Sequence, residues 1–344
     1  MLSSDTVVTV RRSTVAVAMP GHLREQFFAP SSWEGLARWA DIWLLDERVD
    51  SLSPPVRRRL ADTEILVTGW GTQLVDGAVL DCAPSLRAVI HTGGSVRKIV
   101  TPEVYQRGVR VSSQVVNNAI PVAEYTLAMV ILALKGVLQS AHAYGTARTS
   151  QDVYRLMANH GSYRRTVGIV GASRVGRRVI MLLKALDVDV VVYDPFLDEG
   201  DAQVLGVRVV ALAELARSSD IVSIHAPSLP ETHAMINADF LAQMRDGATI
   251  INTARGSLVD EEALISELAR GRLHAVLDVT DPEVPAQSSP LWSLPNVLLT
   301  PHVAGALGVE LQRLGDAAIE EVRRVAAGEP MRYEVTLDSL GMMA

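Results

Sequence analysis

At 344 residues the chain exceeds one ordinary hydrophobic core, so two domains are expected. A net charge of −7 excludes the basic footprint that nucleic-acid binding needs, and the single cysteine, Cys82, excludes an internal disulfide and suits a reducing cytoplasm. Membrane and secretory roles are not expected: the run Val15–Met19 is too short for a signal-peptide core, and YTLAMVILAL (125–134) reads as a buried helix of half a membrane span.

Short β-branched runs alternate with helix-length stretches, the pattern of βα units around parallel sheets. The first series places strands at 14–19, 42–45, 64–69, 87–92 and 109–113. A long apolar helix from Pro121 to Val137 follows, with its proline in the first turn, where the missing N–H costs nothing. The second series places strands at 166–171, 189–194, 207–210, 220–226, 248–253, 274–279 and 296–300. It has the rhythm of a complete doubly wound domain. The closing helix, near Val309–Ala327, lies beyond that series and is expected to rejoin the first domain. The expected fold is α/β: two doubly wound parallel-sheet domains, 1–118 plus 304–344 and 119–303, with a ligand cleft between them.

TVGIVGASRVGRRV (166–179) lies at a strand-to-helix junction and nearly spells a G-x-G-x-x-G fingerprint. Gly171 permits the tight turn, Gly176 lets helix and strand approach, and the helix-start amides offer a pyrophosphate site. Ser173 stands at the second glycine position and is compatible with the loop provided its φ is negative. Asp194, eighteen residues past Gly176 at the end of VVVYD, is placed to hold both ribose hydroxyls of NAD and to repel the 2′-phosphate of NADP.

Three further strand ends carry reactive side chains. Arg255 in INTARGSLVDEEAL can clasp a carboxylate and polarise a carbonyl. Glu283 lies in the proline-rich loop of LDVTDPEVP, and His302 in LLTPHVAGA. A histidine held by a carboxylate makes an acid/base near neutral pH. Because all three follow strands of one parallel series, they can gather at one sheet edge. The other histidines (22, 91, 142, 160, 225, 233 and 274) show no metal-ligand spacing, and no metal is expected.

These stretches, with VYDP, HAPSLPETHAMI, LWSLPNVLLTPHVAG, IHTGGSVRKIV and NNAIPVAEYTLAMVILAL, resemble the NAD-dependent D-2-hydroxyacid dehydrogenase family over roughly residues 60–330. The resemblance implies a flavodoxin-like substrate domain and a Rossmann NAD domain. It implies reversible NAD-linked reduction of a small 2-oxo acid to a D-2-hydroxy acid. In it Arg255 binds the carboxylate and the C2 oxygen, His302 is the acid/base, and Glu283 orients it. Gly93, Gly94 and Ser95 would hold the carboxylate from the other domain. The cofactor would meet Gly171, Ser173, Arg174, Val175, Gly176 and Asp194, with Ala226, Thr253 and Asp278 on the nicotinamide half and Asp278 facing the carboxamide. A homodimer joined through the NAD domain is also implied.

Ser173 departs from the family's pattern, and so does SVRKIV (95–100), where Arg97 and Lys98 replace acidic and amide residues. They are either surface charges or a site for a second anionic group on the substrate. Trp70 either lines an apolar side-chain pocket or packs in the core. Two other functions stay open: an NAD-sensing corepressor or scaffold of the same fold, and formate dehydrogenase activity, against which Glu283 speaks because those relatives carry glutamine there.

Overall fold

The computed structural model describes residues 12–45, 52–150 and 152–341. The chain forms two compact units, one built up to Asn118 and again from Leu307 onward, the other from Ala119 to Ala306.

The first unit contains β1 (Ser13–Ala18), β2 (Ala40–Leu45), β3 (Ile65–Thr68), β4 (Ala88–His91) and β5 (Arg110–Ser113). They pair in parallel in the order β2-β1-β3-β4-β5, the flavodoxin-type arrangement. β3 and β4 are buried at every residue, as expected of parallel strands covered by helices on both faces. The helix Glu310–Ala326 returns here and buries Leu311, Leu314, Ala318, Val322 and Val325, a stripe at helical spacing. Gly315 lies in that stripe because a methyl group there would stand 1.9 Å from the Phe27 carbonyl oxygen.

The second unit contains β6 (Arg165–Val170), β7 (Val188–Tyr193), β8 (Arg208–Val209), β9 (Ile221–Ile224), β10 (Thr249–Asn252), β11 (His274–Leu277) and β12 (Val297–Leu299). All pair in parallel in the order β12-β11-β10-β9-β6-β7-β8. The chain winds outward from β6 through β7 and β8, then resumes on the other side at β9. The switch point therefore falls between β6 and β9, where open α/β sheets bind ligands.

The strand expectations match the structure to within a few residues, but the long helix does not. It runs Val115–Leu134, so Pro121 lies inside it rather than in its first turn. Asn118 N donates to the Gln114 carbonyl at 2.8 Å, so the helix is under way before the proline is reached. Gly136, at φ +60, ends it in the left-handed conformation that suits glycine. By length and composition this helix is apolar enough to cross a membrane. In the fold Ala123, Val130, Ala133 and Leu134 share the core with Val167 and Ile169 of β6.

Gly315→Ala is expected to destabilise the first unit by about 2 kcal/mol through overpacking against Phe27, read as a lower denaturant midpoint for that unit.

Candidate active site

The turn after β6 is built for close backbone approach. Gly171 has φ +96, and a Cβ there would lie 2.6 Å from the Ala226 amide nitrogen. A Cβ on Gly176 would lie 2.1 Å from the Gly171 carbonyl oxygen. Both positions therefore require glycine. Ser173 does not: its φ is −63, an ordinary L-residue conformation. Its hydroxyl caps the helix Arg174–Leu183 by accepting from Gly176 N at 3.3 Å. Among the described residues the amides of Arg174 and Val175 meet no acceptor, as first-turn amides do unless an anion arrives.

Asp194, at the end of β7, accepts from Ala172 N at 2.6 Å and Phe196 N at 2.8 Å. The carboxylate thus ties the glycine turn to the next strand and keeps lone pairs for ribose hydroxyls. The turn residues fit a dinucleotide: a tight glycine cradle, free amides at a helix start and an acidic side chain beside them. Below the turn, burial pushes the His225 imidazole down to about 3, and its Nε2 meets the Ser223 hydroxyl at 2.9 Å.

Arg255 leaves β10 through a turn fixed by Asn252, which is buried. The Asn252 side chain accepts from Ala254 N at 3.0 Å and donates to the Arg255 carbonyl at 2.9 Å. A Cβ on Gly256 would lie 2.0 Å from the Thr280 carbonyl carbon, so the loop after β10 rests directly on the backbone that leads to Glu283. Burial pushes the Arg255 guanidinium below its ordinary value while the Glu283 charge pushes it up. It remains cationic at neutral pH.

Glu283 Oε1 lies 2.6 Å from His302 Nδ1, and the two side chains are 62% and 46% exposed, open to a ligand. A carboxylate only accepts, so Nδ1 carries the proton in this bond and Nε2 is left for other chemistry. His302 itself has φ +54, a strained conformation for a non-glycine residue. Two bonds from its amide hold it there, to the Asp278 carbonyl at 2.9 Å and the Thr300 carbonyl at 3.0 Å.

The second unit thus brings Arg255, Glu283 and His302 together after β10, β11 and β12. Ala226 touches the glycine turn, while the buried Thr253 shares a 3.0 Å contact with the Thr126 hydroxyl. Asp278 does more than a facing role implies. Its buried carboxylate accepts from Thr300 Oγ1 at 2.7 Å, Val303 N at 2.8 Å and Ala304 N at 2.9 Å. Sequence reasoning does not single out Asn252, Thr300 or the contact of Gly256 with Thr280. The readable signal was an asparagine at a strand end before a turn, a residue type that bonds its own backbone.

Gly93, Gly94 and Ser95 lie in the first unit, on the loop after β4. Among the described residues their three consecutive amides meet no acceptor, a concavity suited to an anion. Arg97 and Lys98 are exposed on the same loop. Trp70 is half-buried, 5.4 Å edge-on from Phe27, with its indole nitrogen 2.8 Å from where a Gly93 Cβ would be. No cluster of metal-binding side chains occurs among the described residues.

The family model for the NAD-binding domain of D-isomer-specific 2-hydroxyacid dehydrogenases matches residues 127–304. This chain belongs to that family. Over 267 residues it is 32% identical to the D-3-phosphoglycerate dehydrogenase of Archaeoglobus fulgidus, covering 77% of this chain and 50% of that one. The chain spans about half the length of the curated relatives it matches. The crystal structure of the TT0316 protein from Thermus thermophilus superposes with a TM-score of 0.72 at 28% identity, covering 94% of this chain and 100% of that one. A phosphoglycerate oxidoreductase from Rhizobium etli shares the fold with a TM-score of 0.80 at 22% identity, over 94% and 99% of the two chains.

The unfolded His225 imidazole binds a proton below about pH 6.5, whereas the buried one resists it down to about 3. Acid therefore favours the unfolded state throughout that window. Tm is expected to fall as pH drops from 6.5 to 4, and His225→Asn should flatten that slope.

Proposed function

We propose that this protein interconverts a small 2-oxo acid and a D-2-hydroxy acid with NAD(H). The observation that carries the reading is the 2.6 Å pair of His302 and Glu283 beside Arg255, at the same sheet edge as an NAD-type turn.

Gly171, Ser173, Arg174, Val175 and Gly176 would receive the pyrophosphate, and Asp194 the adenosine ribose. Ala226, Thr253 and Asp278 would line the nicotinamide half, with the spare lone pair of Asp278 Oδ2 meeting the carboxamide. The bound cofactor supplies the hydride that C2 of the oxo acid takes up. Arg255 holds the substrate carboxylate and draws electron density toward the C2 oxygen. His302 Nε2 gives its proton to that oxygen as C2 is reduced, leaving a neutral imidazole, and the reverse reaction returns the proton. Glu283 keeps the ring oriented through its bond to Nδ1. Gly93, Gly94 and Ser95 of the first unit, the substrate domain in this reading, would bind the carboxylate through their free amides. A homodimer formed through the NAD domain is supported by the helix Val137–Ala147, which buries none of its residues, and by Tyr144 and Tyr154, 64% and 90% exposed.

The test is purified protein with NADH against glyoxylate, hydroxypyruvate, pyruvate, phenylpyruvate and 3-phosphohydroxypyruvate. Turnover with at least one supports the reading; NADH binding without turnover on any of them defeats it and favours an NAD-sensing role. His302→Ala is expected to lower kcat by about 10²-fold or more while NADH Kd stays within about twofold. Gly256→Ala should force the Arg255 loop off Thr280 by about 1 Å and cost about 10²-fold in kcat/KM with the fold retained.

A further inference from the structure

A line of hydrogen bonds reaches the His302 turn from the long helix Val115–Leu134. Tyr125 OH lies 2.8 Å from Thr300 Oγ1, which lies 2.7 Å from Asp278 Oδ1. The order of protons follows from the donor inventory. A carboxylate only accepts, so the one Thr300 hydroxyl proton points to Asp278, and Tyr125 must donate to Thr300. The same Asp278 oxygen takes the Val303 amide, the other takes Ala304, and the Asp278 carbonyl takes the His302 amide. The turn that holds His302 at φ +54 is therefore wound around one aspartate, and that aspartate is braced from behind by a threonine and a tyrosine. Burial holds the Tyr125 phenol above its ordinary value, so it stays a donor across the neutral range.

From this geometry we propose that Tyr125, acting through Thr300 and Asp278, is a positioning residue that sets the orientation of the His302 imidazole. Neither Tyr125 nor Thr300 is a member of the His302, Glu283 and Arg255 constellation. A strained left-handed histidine has lower-energy conformations available, and the bonded turn is what denies them. Breaking one link leaves the ring and its Glu283 partner in place but widens the range of angles at which Nε2 is presented. The kinetic arm of the test rests on the function proposed above; the spectroscopic arm does not.

The experiment compares Tyr125→Phe, Thr300→Val, Thr300→Ser and the double variant Tyr125→Phe/Thr300→Val in the full chain with NADH. The first readout is NMR of ¹⁵N-histidine-labelled protein, with the His302 signal assigned by its loss in His302→Gln. Tyr125→Phe and Thr300→Val are expected to shift the His302 Nδ1–H resonance, while Thr300→Ser, which keeps the hydroxyl, retains it. The second readout is kcat against KM and NADH Kd. Tyr125→Phe and Thr300→Val should each lower kcat about tenfold with NADH Kd within about twofold. The double variant should fall no further than Thr300→Val, because the two groups act in one line. An unmoved His302 resonance in folded Tyr125→Phe overturns the proposal. So does a loss confined to Tm, or independent, additive losses in the double variant. If the wild-type protein turns over no 2-oxo acid, the proposed function fails, and the resonance still decides the role of Tyr125.

Discussion

Because β6, β9, β10, β11 and β12 pair in parallel, every loop that leaves a strand's carboxyl end emerges at one edge of the sheet. Residues as far apart in the chain as Gly171 and His302 are brought to that edge by strand order, before any side chain chooses a partner. The glycines then set how closely the loops approach. Gly256 against Thr280 and Gly171 against Ala226 are backbone contacts that a single methyl group would break.

Polar groups divide between support and chemistry according to burial. Asn252, Asp278 and His225 are enclosed, and each satisfies neighbouring backbone or hydroxyl groups at fixed distances. An enclosed group left unpaired would be costly, so these bonds hold each of them in place. His302 and Glu283 stand nearly half or more exposed, where a ligand can meet them. Strain at His302 is tolerated because the buried Asp278 behind it holds the turn through several hydrogen bonds.

Strand positions, parallel topology and the dehydrogenase family were legible because β-branched runs, glycine spacing and three charged strand ends each leave a local mark. The start of the long helix was not: VVNN reads as weakly helical, and Pro121 looked like a beginning, while the Gln114 to Asn118 bond that begins the helix belongs to no periodic pattern. The brace behind His302 was invisible for a related reason. Tyr125 and Thr300 are 175 positions apart, and nothing in a tyrosine within an apolar helix marks it as a donor to one particular hydroxyl. Pairings of that kind exist only once the sheet is assembled.

Ser173 carries a consequence for how readily the turn forms. A glycine at that position explores both signs of φ in the free chain, whereas a serine at φ −63 has already surrendered half of that range. Folding this turn therefore freezes fewer backbone rotations than a three-glycine turn would, and the entropic toll of forming it is correspondingly smaller.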